Sequence, residues 1–313
     1  MAAALTEPQK LKDVLVALGG NALLQRGEPP IPEIQMRHAR EAATALKELV
    51  QRLHVALCVT HGNGPQVGLL ALQAPDVPLD VLGAESEGQI GYLLETALAE
   101  ALPESEVVAM LTQTEVDPAD PAFSHPTKFI GPCYSKEEAE KLTREKGFTF
   151  KQDGEHGFRR VVASPQPLKI LESAAIKVLL QQCFTTICAG GGGIPVVVEV
   201  KSGLSWRRYG VEAVIDKDAA SALLGAQIHT DFLLLLTDAP AVYNPQTWPA
   251  KKEPVPTPIT PAELLMLGDF AAGSMGPKET GKPAGIGALQ EAVDIVLGRK
   301  GTLIVPAAAR SSS

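Results

Sequence analysis

The sequence has few of the patterns that mark metal centres and nucleic-acid binding. Its four cysteines form no Cys-x-x-Cys pair, and no two of its six histidines stand three or four residues apart, which argues against structural zinc. It contains no run of Lys and Arg, and its formal net charge is −8, so nucleic acid and anionic membranes are not expected as main partners. An anionic substrate would therefore depend on individually placed lysines.

Long apolar runs are also missing. No stretch approaches the roughly 18 residues of a membrane span, and the first ten residues lack the basic start and apolar core of a signal peptide. These observations predict a cytosolic protein without a membrane segment, in which the cysteines stay reduced. With 313 residues and 45% hydrophobic content, the chain can form one large domain or two lobes.

Strand-like and helix-like segments alternate along the chain. Apolar strand-like runs occur at 14–18, 55–60, 107–111, 184–189 and 232–237, and the helix-like segment from Met36 to Leu53 has apolar residues at alternating steps of three and four. This alternation predicts an α/β fold with helices on both faces of a mostly parallel sheet. The stretch 118–160 interrupts it with prolines and glycines, and is long enough to form an inserted lid subdomain.

Three of the strand-like runs end in loops of glycine and asparagine. The loops are Gly19-Gly20-Asn21, His61-Gly62-Asn63-Gly64 and the four glycines 190–193. Glycine lets the backbone approach a ligand closely, and backbone N–H groups at such strand ends bind anions. Ligands of parallel sheets bind beyond the carboxyl ends of the strands, so three such loops predict a phosphate-handling enzyme.

The residues alone leave other interpretations of these motifs open. The run HGNGPQVG at 61–68 resembles a dinucleotide fingerprint, but three residues rather than two separate its last two glycines, which disfavours a dehydrogenase. The run AESEG at 84–88 resembles a nucleophile elbow without a preceding strand, so a helix start at Ser86 is favoured over a serine hydrolase. The glycine loops can also be plain turns.

Charged residues suited to phosphoryl transfer accompany the glycine loops. Asp216, Lys217 and Asp218 stand at the head of a predicted helix, where the aspartates serve either as caps or as groups that orient catalytic lysines or a metal. Lys128 lies in the expected lid, and Lys278 follows a glycine-rich turn. Phosphoryl transfer depends on positioning and charge neutralisation, which lysines, backbone amides and Mg²⁺ supply without a covalent nucleophile.

Taken in order, these segments resemble the carbamate kinases of the amino acid kinase family. The resemblance covers most of the chain and rests on VALGGNA at 16–22, THGNGPQVG at 60–68, EGQIGY at 87–92, DPADPAF at 117–123, PTKFIGP at 126–132, RRVVASPQP at 159–167, GGGGIPVV at 190–197, GVEAVIDKD at 210–218 and GSMGPK at 273–278. It implies reversible phosphoryl transfer, in which ATP and carbamate give ADP and carbamoyl phosphate, with Mg²⁺ and in a homodimer. The implied physiological direction is toward ATP, in the breakdown of arginine or of other sources of carbamoyl phosphate.

The resemblance also implies an architecture, a three-layer αβα sandwich with a central, mostly parallel sheet and a small protruding lid. A carbamate- and phosphoryl-binding lobe, 1–200, would carry the lid at about 118–160. A nucleotide-binding lobe, 201–313, would share one continuous sheet with it.

Individual residues take roles from the same resemblance. Carbamate and the transferring phosphoryl group would be held by Gly19, Gly20, Asn21, Gly62, Asn63, Gly190, Gly191 and Gly192. Lys128 would close over them from the lid, Lys217 and Lys278 would neutralise charge, and Asp218, with Asp216 nearby, would orient those lysines. The ADP pocket would be lined by Thr237, Asp238, Ala239, Tyr243 and Met275. No residue is assigned to a metal.

Two features depart from the family pattern. Glu87 stands where the family usually has glutamine, and the segment after Lys278 is shortened by about two helical turns, on the order of 10 Å of helix. Two alternatives stay open: a sister amino acid kinase acting on another small carboxylate or phosphonate, and a nucleotide-binding paralogue that the shortened segment after Lys278 has inactivated.

Overall fold

A computed structural model describes residues 11–20, 23–24, 28–29, 31–154, 157–200, 206–268 and 282–306. In chain order its strands and α-helices are β1 (Asp13–Leu18), α1 (Pro32–Leu53), β2 (Ala56–His61), α2 (Gly64–Gln73), α3 (Leu79–Ala101), β3 (Val107–Ala109), β4 (Gln113–Val116), β5 (Lys128–Tyr134), α4 (Lys136–Lys146), β6 (Thr149–Gln152), β7 (Phe158–Val162), β8 (Pro167–Ile170), α5 (Ser173–Gln181), β9 (Thr185–Ile187), β10 (Ile194–Val200), β11 (Trp206–Gly210), α6 (Lys217–Ile228), β12 (Phe232–Thr237), α7 (Pro261–Met266), β13 (Ala284–Ala288), α8 (Ala292–Val296) and β14 (Thr302–Ile304).

A seven-stranded sheet runs through the middle of the protein in the order β14-β13-β12-β1-β2-β9-β3. Its neighbouring strands are parallel except for the pair β13 and β14. The mostly parallel α/β sheet expected from the sequence is therefore confirmed. Strands from both expected lobes pair directly, as β1 does with β12, while the division of binding roles between the lobes stays a prediction.

Helices cover both faces of this sheet. Along β1, Val14, Val16 and Leu18 pack into the core that includes α1, α3 and α8, whereas Leu15 and Ala17 pack into the core that includes α5, α6 and α7. All five side chains are fully buried. Successive side chains of a strand point to opposite faces, so an unbroken apolar run suits a strand covered on both sides. The three-layer αβα arrangement is confirmed.

A second, smaller sheet occupies much of the stretch expected to form a lid. It consists of β5, β7 and β6, all antiparallel, with α4 packed against β6 and β7. It meets the body where β5 crosses α2. A Cβ added to Gly68 of α2 would stand 2.1 Å from the Cα of Gly131 in β5, so the two backbones touch directly. This contact fixes the strand that begins at Lys128.

The remaining strands form a four-stranded sheet in the order β11-β10-β4-β8. Within the described ranges, no helix is both long enough and apolar enough to cross a bilayer.

One expected helix boundary is wrong. Ser86 lies inside α3, which begins at Leu79, so it neither starts a helix nor forms a nucleophile elbow. The true start is marked by Pro78 at the cap position and Asp80 in the first turn, where a carboxylate suits the helix dipole. A nucleophile elbow requires a strand leading into a sharp turn, so the serine hydrolase interpretation is rejected.

Candidate active site

The first two glycine loops touch at the carboxyl edge of the central sheet. The Gly19 N–H donates to the carbonyl oxygen of Leu236 in β12 at 3.0 Å, and the Gly62 N–H donates to that of Leu18 in β1 at 3.0 Å. A Cβ added to Gly62 would stand 3.0 Å from the backbone nitrogen of Gly20, so no side chain separates the loops. The first two loops are therefore in direct backbone contact.

The third loop reaches the second through Asn63. A Cβ on Gly191 would stand 2.1 Å from Asn63 Nδ2, and Gly191 and Gly192 have φ values of 65° and 92°, which favour glycine. Asn63 Nδ2 donates to Ser86 Oγ at 2.9 Å, which fixes the orientation of the amide. The structure thus brings the described glycines of all three loops together with Asn63. Their role in binding stays a prediction.

Glu87, the next residue of α3, supports the third loop from inside. It is 3% exposed, and its carboxyl group accepts hydrogen bonds from the Gly190 N–H at 2.9 Å and from the Thr112 N–H at 3.2 Å. Burial raises the pKa of Glu87 to about 8. The sequence singled out Glu87 only as a departure from the family glutamine, and it gave no signal that Ser86 holds Asn63.

His61 lies behind the same loop and is fully buried. Its Nδ1 is 3.2 Å from the carbonyl oxygen of Gly62, and since a carbonyl only accepts, Nδ1 carries the hydrogen. Burial lowers the pKa of His61 to about 4, so the ring is neutral near pH 7. In the described part of the chain, Nε2 has no hydrogen-bond partner. The site therefore contains a buried acceptor that sequence reasoning did not identify.

Two of the three predicted lysines meet the predicted aspartates. Lys128 Nζ lies 2.9 Å from Asp216 Oδ2, so the lid strand β5 is tied to the start of α6. Lys217 Nζ lies 2.5 Å from Asp218 Oδ1. The stem of Lys217 also reaches the second loop, because its Cδ is 3.4 Å from the position of a Cβ on Gly62. Lys217 is thus held beside the second loop, and Lys128 is held at the residue that caps α6.

Asp216 combines the two roles that the sequence left as alternatives. Its Oδ1 caps α6 by accepting from the backbone N–H groups of Asp218 and Ala219, each at 3.0 Å, while Oδ2 binds Lys128. Asp218 is 2% exposed, and its Oδ2 has no hydrogen-bond partner among the described residues. An unsatisfied buried carboxylate oxygen is costly, so this atom is suited to receive a further donor.

The residues predicted to line a nucleotide pocket follow β12. Thr237 ends that strand beside the first loop, since its Cα is 3.9 Å from the position of a Cβ on Gly19. Asp238 is exposed and Ala239 partly buried. Tyr243 stacks on Trp248 with ring centroids 5.4 Å apart. Their contact with nucleotide stays a prediction.

Three predicted site residues, Asn21, Met275 and Lys278, lie outside the described residues, as does the start of the shortened segment after Lys278. Within the described ranges, no three or more His, Cys, Asp or Glu side chains are grouped so that they can hold a metal ion.

Comparison with known proteins gives one consistent result. The model of the amino acid kinase family matches residues 12–281. A carbamate kinase of Rhizobium meliloti is 48% identical over 309 residues, and the match covers 93% of this chain and 92% of that protein. A carbamate kinase of Escherichia coli K12 is 47% identical, and the match covers 94% of this chain and 99% of that protein. The solved carbamate kinase of Giardia lamblia bound to citric acid has a TM-score of 0.84 and 38% identity, covering 95% of this chain and 99% of its own. The chain belongs to the amino acid kinase family.

Proposed function

We propose that this protein is a carbamate kinase, which transfers a phosphoryl group reversibly between ATP and carbamate to give ADP and carbamoyl phosphate. One observation carries the proposal: three glycine loops and two aspartate-paired lysines meet at the carboxyl edge of one parallel sheet. Among the substrates that kinases of this family could use, the full-length similarity to carbamate kinases favours carbamate. In cells the reaction would run toward ATP, during breakdown of arginine or of other sources of carbamoyl phosphate.

The chemistry follows from charge and position. The N–H groups of Gly19, Gly62, Gly190 and Gly192 are bonded within the protein, so these glycines would serve by letting the ligand approach closely. Other loop N–H groups, such as those of Gly20 and Gly191, would carry the oxygens of carbamate and of the phosphoryl group. Lys217, held by Asp218 and packed on the second loop, would neutralise charge on the transferring group. No residue needs to form a covalent intermediate, since phosphoryl transfer is accelerated mainly by positioning and electrostatics.

Lys128 would add a second positive charge from the lid. Its bond to Asp216 supports this role, because Asp216 caps α6 and directly precedes Lys217 in the chain. ADP or ATP would bind beside the end of β12, at Thr237, Asp238, Ala239 and Tyr243. Lys278 and Met275 are proposed to complete this side, with Lys278 as a donor for Asp218 Oδ2, which has no hydrogen-bond partner among the described residues.

Mg²⁺ would enter as the complex with the nucleotide phosphates. This ion keeps several waters and needs few protein ligands in nucleotide sites, which fits a site whose described carboxylates are occupied largely by lysines and a helix cap. Bound Mg²⁺ would neutralise charge between the β- and γ-phosphates.

A coupled assay that detects ATP formed from ADP and carbamoyl phosphate tests the proposal. Lys217→Ala serves as the inactive control. If the well-folded protein forms no ATP in this assay, the proposal is refuted. If ADP raises the Tm but no turnover occurs, the protein is the inactive paralogue. If another acyl phosphate is turned over and carbamoyl phosphate does not inhibit that reaction, the protein is a sister kinase.

A homodimer is part of the same proposal. β3 is an edge strand of the central sheet, and next to it Leu111 lies 3.9 Å from the position of a Cβ on Gly88 in α3. Leu111 is 57% exposed and Tyr92, one turn after Gly88, is 63% exposed. An apolar patch beside an open edge is suited to a two-fold contact. Light scattering on Tyr92→Glu should show a monomer, whereas the control Leu168→Glu, on β8, should leave the dimer intact.

We also propose a cytosolic location. All four cysteines are free, and Cys58 and Cys188 are buried with their sulfur atoms 3.6 Å apart without a bond.

A further inference from the structure

The carboxyl group of Glu87 lies directly behind the loop to which the proposed function assigns the phosphoryl group. It accepts from the Gly190 N–H and the Thr112 N–H, and the Thr112 hydroxyl in turn accepts from the Ala189 N–H at 3.0 Å. We propose that Glu87 is a positioning residue that holds this loop and whose own charge sets how strongly the loop binds an anionic substrate. This inference rests on the proposed function.

The carboxyl group can carry or lose its charge near physiological pH. Burial raises the pKa of Glu87 to about 8, even though the hydrogen bonds from Thr112 and Gly190 favour the ionised form. The group is therefore mostly neutral at pH 7 and ionises in mildly alkaline solution. An ionised carboxylate one hydrogen bond behind the loop repels an anion in front of it, in an interior that screens charge poorly.

The other titratable groups around Glu87 come from several elements. His61 in β2 is kept neutral by burial, which lowers its pKa to about 4, and the pKa of the Cys188 thiol after β9 is raised well above its usual value. Glu172, before α5, has a negative charge that raises the pKa of Glu87. Lys217 lies across the second loop, paired with Asp218. Of the three buried groups next to the loop, His61, Cys188 and Glu87, only Glu87 changes charge between about pH 7 and about pH 9.

The side chain of Glu87 also adjoins the ring of His61. His61 Nε2 and Glu87 Cγ lie 2.5 Å and 2.8 Å from the point where a Cβ of Gly190 would stand, so the two side chains adjoin beneath that glycine. Nε2 carries no hydrogen and has no partner among the described residues. A glutamine at this position can keep only one of the two backbone hydrogen bonds that Glu87 accepts, because its amide nitrogen donates and cannot accept from an N–H.

Isothermal titration calorimetry with carbamoyl phosphate, without nucleotide, tests the inference on the whole protein. We expect the Kd of the wild type to rise on the order of tenfold between about pH 7 and about pH 9.5 as Glu87 ionises. In Glu87→Gln the Kd should change by less than about twofold over the same range, which also controls for titration of the ligand. The matched control Glu172→Gln removes a neighbouring charge but keeps Glu87, so it should retain the rise in Kd, with the rise beginning at a lower pH because Glu172 raises the pKa of Glu87.

A flat Kd in the wild type, or an equal rise in Glu87→Gln, overturns the inference. A purely structural role would alter the urea-unfolding stability of Glu87→Gln but leave the pH dependence of its Kd in place, and would overturn it too. The outcome is separate from the proposed function: pH-dependent binding without ATP formation refutes the kinase activity alone, and ATP formation with a flat Kd refutes this inference alone.

Discussion

Replacing Gly68 with alanine tests whether the backbone contact between α2 and β5 sets the position of Lys128. The added Cβ would stand 2.1 Å from both the Cα and the nitrogen of Gly131, and 3.2 Å from the carbonyl carbon of Ile130. All three atoms belong to backbone, so no side chain can rotate away. α2 and β5 must instead separate by about 1 Å, and β5 carries Lys128 at its first residue.

Two opposing terms decide the effect on stability. Alanine is favoured over glycine inside a helix by about 1 kcal/mol, whereas overpacking a tight contact costs roughly 1–3 kcal/mol. The overpacking cost should exceed the gain in helix propensity, so the free energy of unfolding should fall by about 1 kcal/mol and the Tm by about 3 °C. The effect on turnover should be larger, because a displacement of about 1 Å in a catalytic group costs on the order of 100-fold in rate.

Thermal unfolding and the coupled ATP assay measure both effects. The control is Gly83→Ala in α3, where a Cβ would meet no atom within 4 Å, so only the helix term of about +1 kcal/mol applies and activity should be unchanged. If Gly68→Ala were as stable as Gly83→Ala and kept the wild-type kcat/KM, the contact would not position the lid, and the reasoning from it would be refuted.

Three further predictions concern charges at the site. Lys217→Ala should lower kcat by roughly 10²- to 10³-fold, as for loss of one charge-stabilising donor, and a change confined to KM would instead indicate uniform binding of substrate and transition state. Asp216→Asn should keep the cap of α6 and a Tm near that of the wild type, but should lower kcat/KM at least about tenfold because it releases Lys128. Asp216→Ala should in addition lose about 1 kcal/mol of stability. Equal Tm values for the two variants would contradict the capping role. The pKa of His61 is lowered from 6.5 to about 4, so the free energy of unfolding should fall by about 3 kcal/mol as the pH drops from 6.5 toward 4. Urea unfolding of His61→Gln should show a shallower decline over this range. Parallel declines in the variant and the wild type would argue against the lowered pKa of His61.

Local sequence patterns predicted the elements that frame the site. The apolar run of β1 alternates between two buried cores, and Asp216 precedes a helix that it caps. Such features depend on residues close together in the chain, so their spacing is informative. The start of α3 was misplaced because the prediction rested on Ser86 alone, whereas proline and aspartate, here Pro78 and Asp80, are common at the beginning of a helix.

The hydrogen bonds that hold the glycine loops from behind could not be predicted from local sequence patterns. Ser86 holds Asn63, and Glu87 holds Gly190, across separations of 23 and 103 residues. Neither pairing has a periodicity or a spacing that reveals it, since each depends on how α3 packs under the sheet edge. The Gly68 and Gly131 contact is of the same kind.

By itself, the sequence determined the α/β layering, the three glycine loops and the lysines and aspartates available for phosphoryl transfer, because backbone freedom and hydrophobic periodicity are properties of neighbouring residues. Only the tertiary structure decided that the loops adjoin, that Asp216 both caps α6 and binds Lys128, and that Glu87 faces inward. It also decided that Glu87 is mostly neutral at pH 7. Desolvation and the distance between remote segments exist only once the chain is packed, and these set the charges and contacts of the site.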